Sequence, residues 1–425
     1  MDKNLYDLCV NVLKEELLPA MGCTEPIAVA YCAALARDAL GARPERVEIA
    51  VSGNILKNVK SVIVPNTGGQ KGIISAACAG IVAGVSEKQL ECLSAVSNEQ
   101  REEIAAYKQT AQFTVEKSTS DSVFDISVRV HFGKDEAYVR IAERHTNVVK
   151  ITHNGKTVLD KECECNHAED VCTRDDLTVE NIFDFVTNAD LAEITPLLER
   201  QISYNMTIAE EGLKNDYGAR VGKVLLKAFG ESVHNRAKAT AAAGSDARMN
   251  GCELPVVIVS GSGNQGITAS VPLIVYAREM GVPHEKLLRA LALSDLVTVH
   301  LKSGIGRLSA YCGAVSAGSG AGAGICYLSG GGLDDICHTL INALAIDSGI
   351  VCDGAKSSCA AKIASAVEAG LLGMEMYANG SEFCGGDGIV ASCVEETIKN
   401  VGEIARLGMK STDEEIIRLM IKSVS

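Results

Sequence analysis

The chain has 425 residues, of which 47% are apolar, and it carries a formal net charge of -14 at pH 7. This length allows two or three domains around a large buried core. The negative charge, with no cluster of Lys and Arg to interrupt it, argues against a nucleic-acid partner. The amino-terminal segment lacks a basic start followed by an apolar run, so we expect a cytoplasmic protein.

Two helices are predicted at the start of the chain. Apolar residues at helical spacing predict a helix over residues 5–18, and an Ala-rich stretch predicts another over residues 27–40. Pro26 suits the first turn of the second helix, so the preceding loop would present Cys23 near a helix N-terminus. A thiol at such a position has a lowered pKa and can act as a base or nucleophile, although Glu25 would oppose that shift.

A sheet is predicted to follow these helices. Alternating apolar residues predict strands over residues 46–51 and 59–64, and residues 113–160 continue the pattern after a helical segment over residues 71–111. Asn154-Gly155 predicts a hairpin turn. We therefore expect an α+β fold, in which residues 46–170 form a smaller α+β domain inserted into a predominantly helical catalytic domain of residues 1–45 and 171–425.

The remaining chain is predominantly helical with Gly-rich breaks. Two uncharged stretches, residues 254–277 and 308–333, are long enough to span a bilayer, but Gly, Ser, Asn and Gln fill them and predict buried helices without membrane contact. The turn over residues 261–266 matches G-x-G-x-x-G but lacks the second strand of a dinucleotide site. Its N–H groups could face a small anion at a helix N-terminus, but the same spacing is equally compatible with a turn that only packs against its neighbours.

The sequence contains sixteen cysteines, which in the cytoplasm are better interpreted as buried thiols and metal ligands than as disulfides. The densest metal-like cluster lies in one charged connection and comprises Cys163, Cys165, His167 and Cys172. It lacks the two-residue spacing of zinc knuckles, which weakens the case for a metal site there.

Cys312, Cys352 and Cys359 form a stronger set, because all three lie in segments of small residues. Three thiolates could hold a four-iron cluster with one iron open, and an open metal position can act as a Lewis acid. Buried cysteines of a helical core are the alternative interpretation.

Taken together, these segments resemble the iron-sulfur L-cysteine desulfidases, a family related to the iron-sulfur L-serine dehydratases. The resemblance covers nearly the whole chain. Its most specific blocks are Met21-Gly-Cys-Thr-Glu-Pro26 and Cys352-Asp-Gly-Ala-Lys-Ser-Ser-Cys359. Gly53-Asn54, Pro65-Asn-Thr-Gly-Gly69, the turn over residues 261–266 and the Cys312 segment also match.

The resemblance implies that Cys312, Cys352 and Cys359 hold a [4Fe-4S] cluster and that Cys23 moves the substrate's proton. It implies a carbon-sulfur lyase that converts L-cysteine, a small-molecule substrate, to hydrogen sulfide, ammonia and pyruvate. The substrate carboxylate is expected on Gly-rich helix N-termini, at Asn66, Thr67, Gly68, Gly69, Ser262, Asn264, Gln265 and Gly266. The serine dehydratases carry Ser-His-Thr in place of Gly22-Cys23-Thr24 and a longer gap between their last two cluster cysteines, which favours the desulfidase branch.

Three alternatives stay open at this point. The first is an L-serine dehydratase of the same iron-sulfur type, and the second is a pyridoxal-phosphate lyase with Lys71 or Lys356 as the Schiff base. The third is a non-catalytic protein that binds metal or sulfur. A homo-oligomer is compatible with the sequence, which does not specify the number of subunits.

Overall fold

The computed structural model describes residues 2–60, 62–120, 122–161, 174–306 and 308–422. The two predicted helices at the start are confirmed as α1 (Lys3–Glu16) and α2 (Thr24–Leu40), separated by a short strand, β1 (Pro19–Met21). The side chain of Asp2 accepts a hydrogen bond from Asn4 N and caps α1. The Ala-rich helix α2 is buried along most of its length, as its composition predicts.

The predicted sheet has six strands and three helices in its connections. The strands are β2 (Arg46–Val51), β3 (Gln112–Lys117), β4 (Asp125–Phe132), β5 (Asp135–Ala142), β6 (Val148–His153) and β7 (Lys156–Asp160). The helices between β2 and β3 are α3 (Gly53–Val59), α4 (Ile73–Ala83) and α5 (Asn98–Thr110), with a short 3-10 helix at Ser86–Glu91. The strand order is β3-β2-β4-β5-β6-β7, in which only the β2–β3 pair is parallel among the described strands of this sheet.

The alternation in β2 and β4 explains which face of the sheet is buried. Val47, Ile49 and Val51 are buried and lie opposite apolar residues of β4, and α2 packs against β4 and β5. Asn154 and Gly155, with φ of 49° and 73°, form the predicted turn between β6 and β7.

The strand predicted over residues 59–64 is wrong. The structure has α3 up to Val59, followed by a bridge between Ile63 and Lys71. The side chain of Ser52 accepts a hydrogen bond from Ile55 N and so starts a helix just after β2. Only Val59 of the predicted strand belongs to this helix, and the described residues up to Val64 form a turn and the single bridge at Ile63.

The second half of the chain is helical apart from one short strand, β8 (Pro255–Val257), in the part that the structure describes. Before β8 lie α6 (Val179–Asn188), α7 (Thr195–Lys214), α8 (Val221–Phe229) and α9 (Val233–Met249). After it lie α10 (Gly263–Met280), α11 (His284–Ile305), α12 (Gly313–Leu328), α13 (Leu333–Asp347), α14 (Cys359–Ala378), α15 (Val394–Glu403) and α16 (Lys410–Lys422). Within the described ranges, no helix combines the length and apolar character that a membrane span requires.

Small residues allow α12 and α14 to lie in close contact. A Cβ atom on Gly318 would be 2.3 Å from the carbonyl oxygen of Ala366, and one on Gly322 would be 2.7 Å from that of Gly370. Side chains at these positions would force the helices apart. Their close packing places the start of α12 beside the start of α14.

The mixture of helix and sheet is consistent with the expected α+β class. β1 pairs antiparallel with β8, which ties the start of the chain to the helical part. Helix α2 packs against the sheet and α4, although the prediction assigned residues 1–45 to the helical domain. The division into residues 1–45 and 171–425 on one side and 46–170 on the other stays a prediction.

Candidate active site

Four helices begin at one cavity, which contains about 830 Å³ of empty space, part of it open to solvent. Cys23 precedes α2, Ser262 precedes α10, Cys312 precedes α12, and Cys359 is the first residue of α14. Among the described residues, no side chain caps α2, α10 or α12 with a hydrogen bond. The free N–H groups and the positive ends of the helix dipoles therefore favour negative charge in this cavity.

The backbone brings the three predicted cluster cysteines into this cavity. Cys312 N donates to the oxygen of Ile350 at 3.1 Å and Cys352 N donates to the oxygen of Ala310 at 2.6 Å, so two distant segments pair antiparallel. The hydrogen bond from the Cys312 thiol lowers the pKa of Cys352 to about 6, with help from Lys57 and Lys362. The same bond raises the pKa of Cys312, and burial raises that of Cys359.

These thiols fit an iron-sulfur cluster of the expected kind. Cys312, Cys352 and Cys359 all line the cavity, and thiolates are the ligands that such clusters take. Within the described ranges, no three His, Cys, Asp or Glu side chains lie close enough to hold a single metal ion. Uncapped helix N-termini and nearby cationic side chains would stabilise the negative charge of a thiolate-bound cluster.

Cys23 forms a hydrogen-bonded pair with Glu25. The Cys23 thiol donates to Oε2 of Glu25 at 3.2 Å, Thr24 Oγ1 donates to the same oxygen at 3.0 Å, and Asn58 Nδ2 donates to Oε1 at 3.1 Å. Burial alone would raise the pKa of Glu25, but His145, the bond from Cys23 and the charge of Arg248 hold it below its ordinary value.

The lowered pKa expected for Cys23 is wrong. Burial and the negative charge of Glu25 raise the pKa of Cys23 well above its ordinary value, and Arg248 opposes this only in part. The helix N-terminus is present as expected, but desolvation outweighs its effect. Cys23 is thus a neutral thiol hydrogen-bonded to a carboxylate in this structure.

Two glycines make room for polar side chains at the start of α10. A Cβ atom on Gly263 would lie 2.4 Å from Nε of Arg248, and one on Gly313 would lie 2.7 Å from Cδ of Gln265. Arg248 Nη1 donates to Oδ1 of Asn264 at 3.1 Å. The guanidinium group therefore lies against the N-terminus of α10, where a carboxylate could contact both.

The structure brings together part of the predicted substrate-binding set. Ser262, Asn264 and Gln265 line the cavity with the four cysteines, whereas Gly266 packs against β8, where its Cβ would be 2.0 Å from the oxygen of Val257.

The segment Asn66–Gly69 is not among the described residues that line the cavity. Asn66 and Thr67 are buried but donate to the carbonyl oxygens of Leu93 and Val64, and Gly68 and Gly69 are exposed. A contribution of these four residues to substrate binding thus gains no support from the geometry.

Other predicted residues lie elsewhere. Neither Lys71 nor Lys356 is among the described residues that line the cavity, which removes the positional support for a Schiff base there. The candidate metal cluster of Cys163, Cys165, His167 and Cys172 lies outside the described residues.

Sequence reasoning missed the polar side chains that complete the cavity wall. They are Lys57, Asn58, His145, Arg248 and Lys302, and all of them are buried, as is Asn54, which the sequence marked only as part of a family block. Lys302 follows a mostly apolar stretch of α11, and its charge was the available signal. The others follow no local pattern.

The wall carries more positive than negative charge. Among the described lining residues, three are cationic (Lys57, Arg248 and Lys302), one is an acid (Glu25), and His145 is titratable. Lys57 Nζ also forms an ion pair with Asp413 of α16 at 2.6 Å. The cavity thus favours anionic ligands within a chain of net charge -14.

Comparison with known proteins identifies the family. The family model described as serine dehydratase alpha chain matches residues 87–418. A UPF0597 protein of Desulfitobacterium hafniense is 52% identical over 420 residues, covering 99% of this chain and 98% of its own length. A UPF0597 protein of Lachnoclostridium phytofermentans is 48% identical, covering 98% of this chain and 100% of its own length. Iron-sulfur serine dehydratases are lyases that generally use a [4Fe-4S] cluster. The chain therefore belongs to the serine dehydratase alpha chain family.

Proposed function

We propose that the protein is an L-cysteine desulfidase, which eliminates hydrogen sulfide from L-cysteine and leaves ammonia and pyruvate. The observation that carries the proposal is one cavity that holds the Cys23–Glu25 pair, three further cysteines and the uncapped N-termini of α2, α10 and α12.

The cysteines Cys312, Cys352 and Cys359 would hold the cluster, which when bound supplies a Lewis acid at the iron that has no protein ligand. The substrate carboxylate would lie at the start of α10, where Arg248 donates to Asn264 and adds positive charge. This arrangement would orient Cα of the substrate between Cys23 and the cluster cysteines. Positive charge near the carboxylate also makes the Cα proton more acidic.

Cys23 and Glu25 would act together on that proton. The sulfur of Cys23 takes the proton from Cα while its own proton passes to Oε2 of Glu25, 3.2 Å away. The electron pair of the Cα–H bond forms the Cα–Cβ double bond, and the Cβ–S bond breaks with its electrons on sulfur. The sulfur leaves as hydrogen sulfide once protonated, and the aminoacrylate product hydrolyses with water to pyruvate and ammonia.

The closest alternative is elimination of water from L-serine in the same cavity. The two reactions differ in the leaving group, so anaerobic turnover of both amino acids by the reconstituted protein separates them. We expect faster pyruvate release from L-cysteine, with equimolar sulfide. Faster pyruvate release from L-serine would overturn the assignment of L-cysteine as substrate, but the protein would still be a lyase.

Variants of the cysteines test their separate roles. Cys352→Ala should lose iron and acid-labile sulfide, whereas Cys326→Ala, a buried cysteine of α12 that is not among the described lining residues, should keep both. Cys23→Ala should keep the iron and lose turnover. Full iron content in Cys352→Ala would exclude it as a ligand, and undiminished turnover in Cys23→Ala would refute the proton-transfer role.

A further inference from the structure

The α3 wall of the cavity presents hydrogen-bond acceptors that have no donor. Asn54 and Asn58 lie four residues apart on α3, so their side chains share one face of the helix, and both line the cavity. The residues are only 8% and 6% exposed. In the part of the chain that the structure describes, the Oδ1 atoms of both are buried and have no hydrogen-bond partner.

The orientation of the Asn58 amide is set by Glu25. Because Nδ2 of Asn58 donates to Oε1 of Glu25 at 3.1 Å, the amide cannot be reversed without placing two acceptors against each other. Oδ1 is therefore the atom left to accept a hydrogen bond. A buried acceptor without a donor is costly, which indicates that a ligand supplies the donor.

The polar groups at this wall offer a cation two acceptors and one carboxylate. Glu25 contributes a carboxylate that contacts Asn58 directly, and the charges of His145 and Arg248 help to keep it ionised. Lys57 lies on the same helix, but its charge is compensated by Asp413, because their side chains form a 2.6 Å ion pair and are 1% and 15% exposed. Arg248 lies against α10, where it contacts Asn264. The Oδ1 atoms of Asn54 and Asn58 thus lie beside the Glu25 carboxylate at α3, whereas the contact of Arg248 with Asn264 lies at α10.

We infer that Asn54 and Asn58, with Glu25, form the subsite that binds the ammonium group of the substrate. The inference rests on the proposed function, since it names the part of the same cavity that selects a primary α-amino acid. An ammonium group carries three N–H donors, and two of them would satisfy the two Oδ1 atoms. The carboxylate would then lie at α10, so the two ends of the zwitterion fix the position of Cα relative to Cys23.

Asn54 and Asn58 are specificity-determining residues in this arrangement. A ligand that lacks the ammonium group leaves both acceptors buried and unsatisfied, so it should bind weakly even with its carboxylate in place. N-acylated amino acids would lose donors and add bulk at the same wall. The site should therefore reject both classes.

Equilibrium binding tests the subsite without turnover. L-alanine has the carboxylate and the ammonium group but no leaving group, and propionate lacks the ammonium group. Calorimetric titration of the anaerobic cluster-loaded protein should show that L-alanine binds at least about tenfold more tightly than propionate, as expected for charge-assisted hydrogen bonds. L-alanine that binds no better than propionate, or does not bind, would overturn the inference.

Variants of α3 test whether Asn54 and Asn58 cause the preference for L-alanine over propionate. Asn54→Leu and Asn58→Leu should each reduce the preference for L-alanine by roughly tenfold and leave propionate affinity within about twofold, which also shows that the cavity is intact. Asn54→Asp keeps an acceptor and should retain the preference. Asn11→Leu, an exposed asparagine of α1, is the matched control and should behave as the unaltered protein.

The outcomes separate this inference from the proposed function. If both leucine variants keep the preference for L-alanine, the ammonium subsite lies elsewhere even when L-cysteine is turned over. The same conclusion follows if the variants lose affinity for propionate as much as for L-alanine. If the preference is lost as expected but neither L-cysteine nor L-serine is turned over, the subsite stands and the proposed reaction fails.

Discussion

Asp295 is a fully buried acid in α11, and its ionisation should oppose folding. Gln201 Nε2 donates to its Oδ1 at 2.9 Å, but within the described ranges neither Oδ2 of Asp295 nor Oε1 of Gln201 has a partner. Burial raises the pKa of Asp295 from 3.8 to about 8. A proton on Oδ2 would supply the donor that these acceptors lack, which agrees with a neutral side chain in the folded state.

The magnitude follows from linkage between protonation and folding. Because the folded pKa of Asp295 is raised, its contribution to stability is fully present below about pH 4 and is lost as pH rises towards about pH 8. Between those values the loss is about 1.4 kcal/mol per pH unit, or roughly 3 kcal/mol from about pH 5 to about pH 7. Asp295→Asn keeps the acceptor, provides an N–H donor and cannot ionise, so it should remove this pH dependence.

Urea unfolding followed by circular dichroism measures the effect at several pH values. The free energy of unfolding of Asp295→Asn, relative to the unaltered protein, should rise by roughly 3 kcal/mol between about pH 5 and about pH 7. Asp7→Asn, at an exposed position of α1, is the control and should show no such trend. A difference between Asp295→Asn and the unaltered protein that stays constant with pH would show that Asp295 is ionised in the folded state and would refute the argument.

Two further predictions concern packing near the site. Gly266→Ala places a Cβ atom 2.0 Å from the oxygen of Val257, so we expect a loss of about 3 kcal/mol in unfolding free energy, whereas Gly349→Ala, with open space around it, should be nearly neutral. Equal unfolding free energies for the Gly266→Ala and Gly349→Ala variants would contradict the close packing of α10 on β8. Asp413→Asn leaves the Lys57 ammonium group buried without its carboxylate and should cost about 3 kcal/mol, measured by the same unfolding experiment. Loss of under about 1 kcal/mol would indicate a solvent-screened pair.

The cavity combines features that none of its segments shows alone. Four helix starts, three cationic side chains and four cysteines lie around one space, although they come from distant parts of the chain. The same helix starts that favour a thiolate-bound cluster also favour a substrate carboxylate. The site would therefore favour anionic ligands although the chain as a whole is acidic.

Much of the local structure could be predicted from the sequence because it depends on spacing within short segments. The apolar periods predicted α1, α2 and the sheet strands, and Asn154-Gly155 predicted the β6–β7 turn. The strand predicted over residues 59–64 was the exception, because α3 extends to Val59 and, in the described residues that follow, only Ile63 forms a bridge.

The cysteines could also be selected from the sequence, since Cys312, Cys352 and Cys359 lie in small-residue segments and match the blocks of a known family. The pairing of residues 310–312 with 350–352 and the contact of α12 with α14 agree with that choice by placing the three in one cavity. Their role as cluster ligands stays a prediction for the iron analysis.

Only the tertiary structure decided the polar wall and the state of Cys23. Asn58, His145 and Arg248 are single polar residues on separate turns and helices, and no local pattern marks them before the fold brings them to one cavity. The pKa of Cys23 depends on burial and on Glu25 more than on its helix N-terminus. Desolvation and charge proximity are properties of three-dimensional surroundings, so the sequence by itself determined which thiols and helices are present, and the fold determined their electrostatics.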